Sequence, residues 1–374
     1  MTGAPSPLRF GLVGPGKVAQ NHAVALREVP GAELVAVCGR DPGRTRAFAT
    51  AHGARPFLAL DEMLGQAALD ALIVCTPHPQ HAGPAIAACA AGVNVLVEKP
   101  MAVTVADCEA MLDAADRAGV QLGVVSQRRW YEPVTRVKAA IEEGRVGRPA
   151  LGTVEVLGWR GPEYYAMDAW RGTWAGEGGG VLVNQAVHLL DLLLWLMGPL
   201  ESVGGKWANL NHPEIEVEDT AVATLAFRGG AVGTVTVSNS QRPGLWARIH
   251  VHGTTGASVG VQTDGGSSFV AGVTAEVEPP VNDIWTIPGE EARLAEWQAQ
   301  DRRAAAGIDV MTHYHARQLR DFADAIRSGR PPAVTGEDGL RVVELIEAIY
   351  ASGRRGGQPI VIEERGRPEA GTAR

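Results

Sequence analysis

What the chain has little of narrows it before any motif is read. Among 374 residues there are only four cysteines, at positions 38, 75, 89 and 108. No C-x-x-C pair occurs, so neither a disulfide framework nor a cysteine zinc site has a basis in the sequence. Cys38 and Cys75 end apolar, strand-like runs and read as buried thiols. There is no surplus of positive charge: 34 Lys and Arg stand against 42 Asp and Glu, a formal net charge of −8. That balance gives no electrostatic reason to expect nucleic acid as a partner. No apolar run approaches the roughly 20 residues of a membrane helix, and the N-terminal MTGAPSPLRF lacks both a basic start and an apolar signal core. No membrane partner is expected, and the expected location is the cytoplasm. His250/His252 and His313/His315 lack a cysteine or carboxylate at ligand spacing, so no metal site is expected either.

What is present points to two α/β domains, because the length exceeds what a single core supports. LRFGLV (8–13) runs into GPGKVA (14–19) and then a helical, alanine-rich segment. In such a strand–turn–helix, Gly14 permits the tight turn, Gly16 lets a pyrophosphate approach and Ala19 lets the helix pack closely. An ordinary βα turn is the plain alternative. The next strand, 33–38, ends in Gly39-Arg40-Asp41, with Arg44 one turn on. A dinucleotide's adenosine ribose would sit here, and a glycine followed by arginines does not repel a 2′-phosphate, which leans toward NADP. Asp41 leaves NAD open. Further strands at 71–75, 94–100 and 121–126 alternate with helices at 81–92 and 104–119, the pattern of a parallel sheet. Ligands bind beyond the carboxyl ends of such strands, which here read GPGK, CGRD, CTPHPQH, VEKP and SQRR. Lys99, in Glu98-Lys99-Pro100, could polarise a substrate hydroxyl beside a nicotinamide; a solvent lysine is the alternative.

In the second half, 150–159, 220–227, 231–238 and 247–253 are β-rich runs, and RGG before 231 is a hairpin turn. Helices are expected at about 314–328 and 337–351, packing back near the first domain. GGGVLVNQAVHLLDLLLWLMG (178–198) is an apolar helix with Asn184, His188 and Asp191 spaced i, i+4 and i+7 on one face. Asp191 could anchor His188 from behind or bond a neighbouring backbone. The triplet 178–180 could let substrate come close to the helix start, or form a flexible loop.

With GPGKVA, CTPHPQH, VEKP and NQAVH in this order, the chain resembles the glucose-fructose oxidoreductase, inositol dehydrogenase and rhizopine catabolism (Gfo/Idh/MocA) family from Leu8 to Ile362. The stretch from Tyr164 to Gly198 is similar to the branch acting on sugars, sugar nucleotides and cyclitols. The resemblance implies an α/β fold: an N-terminal Rossmann domain with a parallel sheet (1–126), then an α/β domain with a large, mostly antiparallel, open-faced sheet (127–362). That sheet's open face implies a homodimer or homotetramer. Residues 363–374 read as a frayed tail.

The same resemblance implies NAD(P) as cofactor, held by Gly14, Gly16, Lys17, Val18, Ala19, Gly39, Arg40, Arg44, Thr76, Pro77, His81, Glu98, Lys99 and Gln127. Arg128 and Arg129 are further candidate contacts. It implies His188 as base and Lys99 as its partner. Asn184 stands where many members carry aspartate, and an amide can orient a neighbour but supplies no negative charge. The substrate, a small sugar or cyclitol, is expected against Tyr164, Tyr165, Trp170, Arg171, Asn184 and His188, with Trp174 nearby and at least one tryptophan serving the core. The expected reaction is oxidation of a secondary hydroxyl to a ketone, or the reverse. Three alternatives stay open: a glycoside-cleaving enzyme that recycles its NAD(P), a non-catalytic cofactor-bound regulator, and a dihydrodiol or imine reductase.

Overall fold

The computed structural model describes residues 6–264 and 279–364; most of the expected tail, from 365 on, lies outside the described residues. Short apolar runs build the first sheet: β1 (Leu8–Val13), β2 (Ala32–Cys38), β3 (Arg55–Phe57), β4 (Ala71–Val74), β5 (Asn94–Val97) and β6 (Leu122–Val124). They pair in parallel in the order β3-β2-β1-β4-β5-β6. All four residues of β4 are buried, as expected for a central strand covered by helices on both faces. The order reverses between β1 and β4, and that switch point opens a crevice at the strand carboxyl ends.

The second sheet comprises β7 (Pro149–Leu157), β8 (Leu200–Ala208), β9 (Thr220–Phe227), β10 (Val232–Ser238), β11 (Trp246–Gly253), β12 (Ser258–Asp264) and β13 (Ile360–Val361). Its order is β12-β11-β7-β10-β9-β8-β13, and every pairing is antiparallel except β10 with β7. Along β9 and β10 buried and exposed residues alternate, so one face is covered and the other open. The covered face packs Val154, Val235 and Ile249 against Leu189, Leu192, Leu193 and Leu196 of the helix Val187–Met197.

Four strands lie beyond the sequence reading. β3 and β13 are only three and two residues long, Gly204-Gly205 interrupts the alternation of β8, and β12 carries a glycine. The expectation about apolar runs is also corrected. The segment Trp174–Met197 is long and apolar enough to cross a membrane by length and composition, but 83% of its most apolar window is buried inside the fold. Polar Asn184 and His188 had masked the run.

Two C-terminal helices join the sheets. Val310–Ser328 starts four residues before the expected position because Asp309 caps it, accepting the Met311 amide at 3.0 Å. Its Leu319, Phe322 and Ala323 enter the first sheet's core beside Phe10, Ile73 and Leu96. In Gly336–Arg354, Leu340 and Val343 pack on the first sheet's core, whereas Val342, Leu345 and Ile349 pack on the second's. One helix thus belongs to both cores and holds the crevice of one sheet against the covered face of the other.

Candidate active site

A cleft of about 1240 Å³ runs between the two sheets. That exceeds the usual range of roughly 300–1,000 Å³ for a single ligand and leaves room for a dinucleotide with a second molecule. Its first wall is made largely of backbone. Gly14 has φ +89°, and a Cβ there would lie 2.7 Å from the Cys75 carbonyl oxygen, so the turn requires glycine. A Cβ on Gly16 would meet nothing within 4 Å, because this residue faces the cleft. The helix Lys17–Leu26 begins there with no side-chain cap and no acid in its first turn. Its amides are left for an anion. Lys17 and Val18 line the cleft, whereas Ala19 is wholly buried and serves packing rather than contact.

At the end of β2, Gly39, Arg40, Asp41 and Arg44 line the cleft. The Asp41 carboxylate accepts the Arg44 amide at 2.6 Å and so caps the helix Pro42–His52. Thr76, Pro77 and His81 follow β4. His81 also lines the cleft, with Nδ1 2.9 Å from the Pro100 carbonyl oxygen and Nε2 2.8 Å from that of Thr76. Both ring nitrogens are engaged in tying two loops together. Glu98 bonds His22 Nε2 at 2.7 Å and accepts the Lys99 amide at 3.0 Å. Burial opposes its ionisation, but the hydrogen bond and charge of His22 outweigh that and bring its pKa down to about 2. His22, Glu98 and His315 bring ligand-type atoms within 4.8 Å of one another. A scan for local spacing could not find this trio, which three distant elements assemble; hydrogen bonds from His22 to Glu98 and from His315 to the Met311 carbonyl already engage it.

The second wall is made of side chains. Lys99 Nζ donates to the Asn184 carbonyl oxygen at 3.1 Å and approaches Asn184 Oδ1 at 3.5 Å. Burial lowers the pKa of Lys99, as do Arg128 and Arg171, while Glu98 and Glu177 act in the opposite sense. His188 lines the same cleft, 9% exposed, with its Nδ1 buried and without a partner. Burial, then the charges of Arg128 and Lys99, hold its pKa well below the ordinary histidine value, so the ring is neutral at neutral pH. Gln127 Oε1 and Asn239 Oδ1 are also buried, cleft-lining and without a hydrogen-bond partner. Orphaned polar atoms converging on one cavity fit a ligand that satisfies them. Together with the glycine turn and the bare helix N-terminus, they fit a nicotinamide dinucleotide.

Tyr164 lies under Arg171, 4.3 Å from guanidinium to ring, and its hydroxyl receives Asn184 Nδ2 at 2.9 Å, Gln185 Nε2 at 3.1 Å and Arg171. Trp170 stacks edge-on against His78, and Lys17 lies 3.9 Å from Asp168, so the segment carrying these residues closes over the first wall. Tyr165 does not line the cleft: it packs behind Tyr164 with Ile215 and Val217. Trp174 is a core tryptophan, packed on Trp207 and Tyr350.

The expected polar stripe is corrected as well. A π-helical turn over Leu182–Ala186 changes the phase between Asn184 and the regular helix that follows. Asp191 neither anchors His188 nor caps a backbone group. It accepts Arg129 Nη2 at 2.5 Å, Arg129 Nε at 2.9 Å and Ser126 Oγ at 2.5 Å, a buried ion pair that also removes Arg129 from the candidate ligand contacts. The glycine triplet makes room for protein, since a Cβ on Gly180 would lie 1.8 Å from the Glu218 carbonyl oxygen. Glu177, Arg160 and Asn239 were absent from the sequence reading. They come from a helix and strand ends whose convergence no local spacing records.

Comparison with known proteins agrees with this geometry. Residues 8–126 match the model of an oxidoreductase family with an NAD-binding Rossmann fold, and residues 134–259 match a GFO/IDH/MocA C-terminal domain. The WlbA dehydrogenase of Bordetella pertussis, solved with NADH and UDP-GlcNAcA, is 36% identical with a TM-score of 0.85, over 97% of this chain and 99% of that one. The D-apiose dehydrogenase of Paraburkholderia graminis is 28% identical over 92% of this chain and 87% of its own length. The inositol 2-dehydrogenase of Rhizobium meliloti is 26% identical over 92% and 96%. With an NAD-binding first sheet, an open-faced second sheet and a cleft between them, the chain belongs to the Gfo/Idh/MocA family of NAD(P)-dependent oxidoreductases acting on CH–OH groups.

Proposed function

We propose that this enzyme oxidises a secondary hydroxyl of an anionic sugar derivative to a ketone with net reduction of its cofactor, the reverse running through the same groups. The observation that carries the reading is the meeting of Lys99, from the first sheet, with a neutral, partner-seeking His188 from the helix beneath the second. The bound nicotinamide supplies the hydride acceptor. His188 takes the hydroxyl proton, and the Lys99 ammonium stabilises charge developing on the oxygen. Asn184 holds Lys99 in place, and the Tyr164–Trp170–Arg171 cluster supplies an aromatic face and a cation for the sugar.

The anionic class is supported by Arg128, Arg160 and Arg171, which line the cleft, and by the UDP-GlcNAcA bound to the WlbA relative. NADP as the preferred cofactor is supported by Arg40 and Arg44 at the end of β2, where the Asp41 carboxylate is engaged as a helix cap. Homo-oligomerisation through the second sheet is supported by its open face, where Val222 and Val232 are 47% and 54% exposed.

The test offers UDP-GlcNAcA, neutral hexoses, glycosides and inositols to the purified protein with NAD and with NADP, following absorbance of the reduced nicotinamide. The reading expects one reduced cofactor per keto product, fastest with the anionic compounds and NADP. Cleavage of glycosides without net cofactor reduction would replace it with a hydride-recycling glycosidase.

A further inference from the structure

Glu177 lies outside the cleft wall, 2% exposed, yet its carboxylate reaches the Asn184 side chain. We propose that Glu177 is a positioning residue whose carboxylate fixes the orientation of the Asn184 amide and so presents a permanent acceptor to Lys99. The proposal rests on the reading of Lys99 as the cation at the reacting oxygen.

An ionised carboxylate only accepts hydrogen bonds, whereas an asparagine amide has one donating and one accepting end. Asn184 Nδ2 donates to Glu177 Oε1 and, at 2.9 Å, to the Tyr164 hydroxyl, so both its N–H groups are used. The accepting end, Oδ1, is thereby left toward Lys99 Nζ, 3.5 Å away. Turning the amide over would set an NH2 group against an ammonium and an oxygen against a carboxylate, two repulsive contacts at once. Glu177 is itself held: its other oxygen accepts the Gly172 amide at 2.7 Å, and its backbone carbonyl meets His78 Nδ1 at 3.0 Å.

The charges around the pair act in the same sense. Glu177 and Glu98 are the carboxylates that favour the Lys99 ammonium, against burial and the guanidinium groups of Arg128 and Arg171. Burial raises the pKa of Glu177, opposed by the hydrogen bonds from Gly172 and Asn184 and then by the charges of Arg171 and Lys99. Carboxylate, amide and ammonium form a line in which the amide and the ammonium face the cleft and the carboxylate lies behind them.

The test uses the protein saturated with oxidised cofactor and follows acetylation of Lys99 by acetic anhydride against pH, quantified by mass spectrometry. In Glu177→Gln, which keeps the shape but can no longer accept from both Gly172 and Asn184, the midpoint for Lys99 should fall by about one pH unit. The alkaline limb of kcat/KM should fall with it, and kcat should drop about tenfold or more. Adding Asn184→Asp returns a carboxylate beside Lys99 and should restore the midpoint and part of kcat. Glu177→Asp, which withdraws the carboxylate by one methylene, should show a smaller shift in the same direction and serves if Glu177→Gln does not fold. A Lys99 midpoint unmoved in the folded Glu177 variant overturns the proposal and leaves Glu177 a staple between two loops. The labelling needs no substrate, so failure of the sugar oxidation and failure of the positioning role remain separate results.

Discussion

The two walls of the cleft are built on different principles. The cofactor wall is mostly backbone: a glycine turn, a bare helix N-terminus and strand ends set by one parallel sheet. The substrate wall is mostly side chain: Lys99, Glu177, Tyr164, Asn184, Gln185 and Asn239 join one continuous hydrogen-bonded network. A backbone site needs a few permissive residues at fixed spacing and tolerates change elsewhere. A side-chain network needs every member, because each buried donor or acceptor left alone costs free energy.

That difference predicts where substitutions bite hardest. Lys99→Ala and His188→Ala should each lower kcat about 10²–10⁴-fold. Cofactor affinity, measured by quenching of tryptophan fluorescence, should stay nearly intact, because neither residue is needed for the backbone wall. Loss of cofactor binding in both variants would break the distinction. Next in size is Arg129→Ala, which strips the buried partner from Asp191 and should cost about 3–5 kcal/mol in denaturant unfolding. Were Arg129 a ligand contact instead, substrate affinity would change and stability would not.

The glycines sharpen the comparison within the backbone wall itself. Gly14→Ala meets the Cys75 carbonyl and an unfavourable φ, so both stability and cofactor binding should fall. Gly16→Ala has open space on the protein side, so the melting temperature should hold while the cofactor dissociation constant rises about tenfold.

A further effect is one of pH. Glu218 accepts the Gly180 and Leu182 amides at 2.9 and 3.0 Å and the Tyr350 hydroxyl at 2.9 Å, anchoring the start of the helix that carries Asn184 and His188. Burial outweighs those hydrogen bonds and pushes its pKa up to about 7 from an ordinary 4.5. Between these values the folded protein keeps a proton that the unfolded chain has released, so stability falls as pH rises through that window. Thermal melts from pH 5 to pH 8 should show the decline, and Glu218→Gln should flatten it.

The same contrast explains what could be read without coordinates. Gly14, Gly16 and the strands around them were legible because their chemistry lies in local spacing. Lys99 and His188 were legible through motifs of the family the chain resembles, not through periodicity. Glu177 was not, although it lies seven residues before Asn184, because the glycine break and the π-helical turn between them bring the two side chains together and neither has a spacing rule. Asp191 was misassigned for a related reason. Helical phase put it beside His188, but a guanidinium from the end of the first sheet makes the stronger partner.

Net hydride transfer from a sugar C–H, with Lys99 and His188 acting together, is the proposed chemistry. Its most direct measurement is turnover of ring-deuterated UDP-GlcNAcA with oxidised NADP or NAD, followed by mass spectrometry of the cofactor and the sugar. One deuterium in the reduced cofactor for each keto product, lost in both Lys99→Ala and His188→Ala, is the predicted result. Deuterium returned to the sugar with no accumulation of reduced cofactor, or transfer that survives both substitutions, would contradict it.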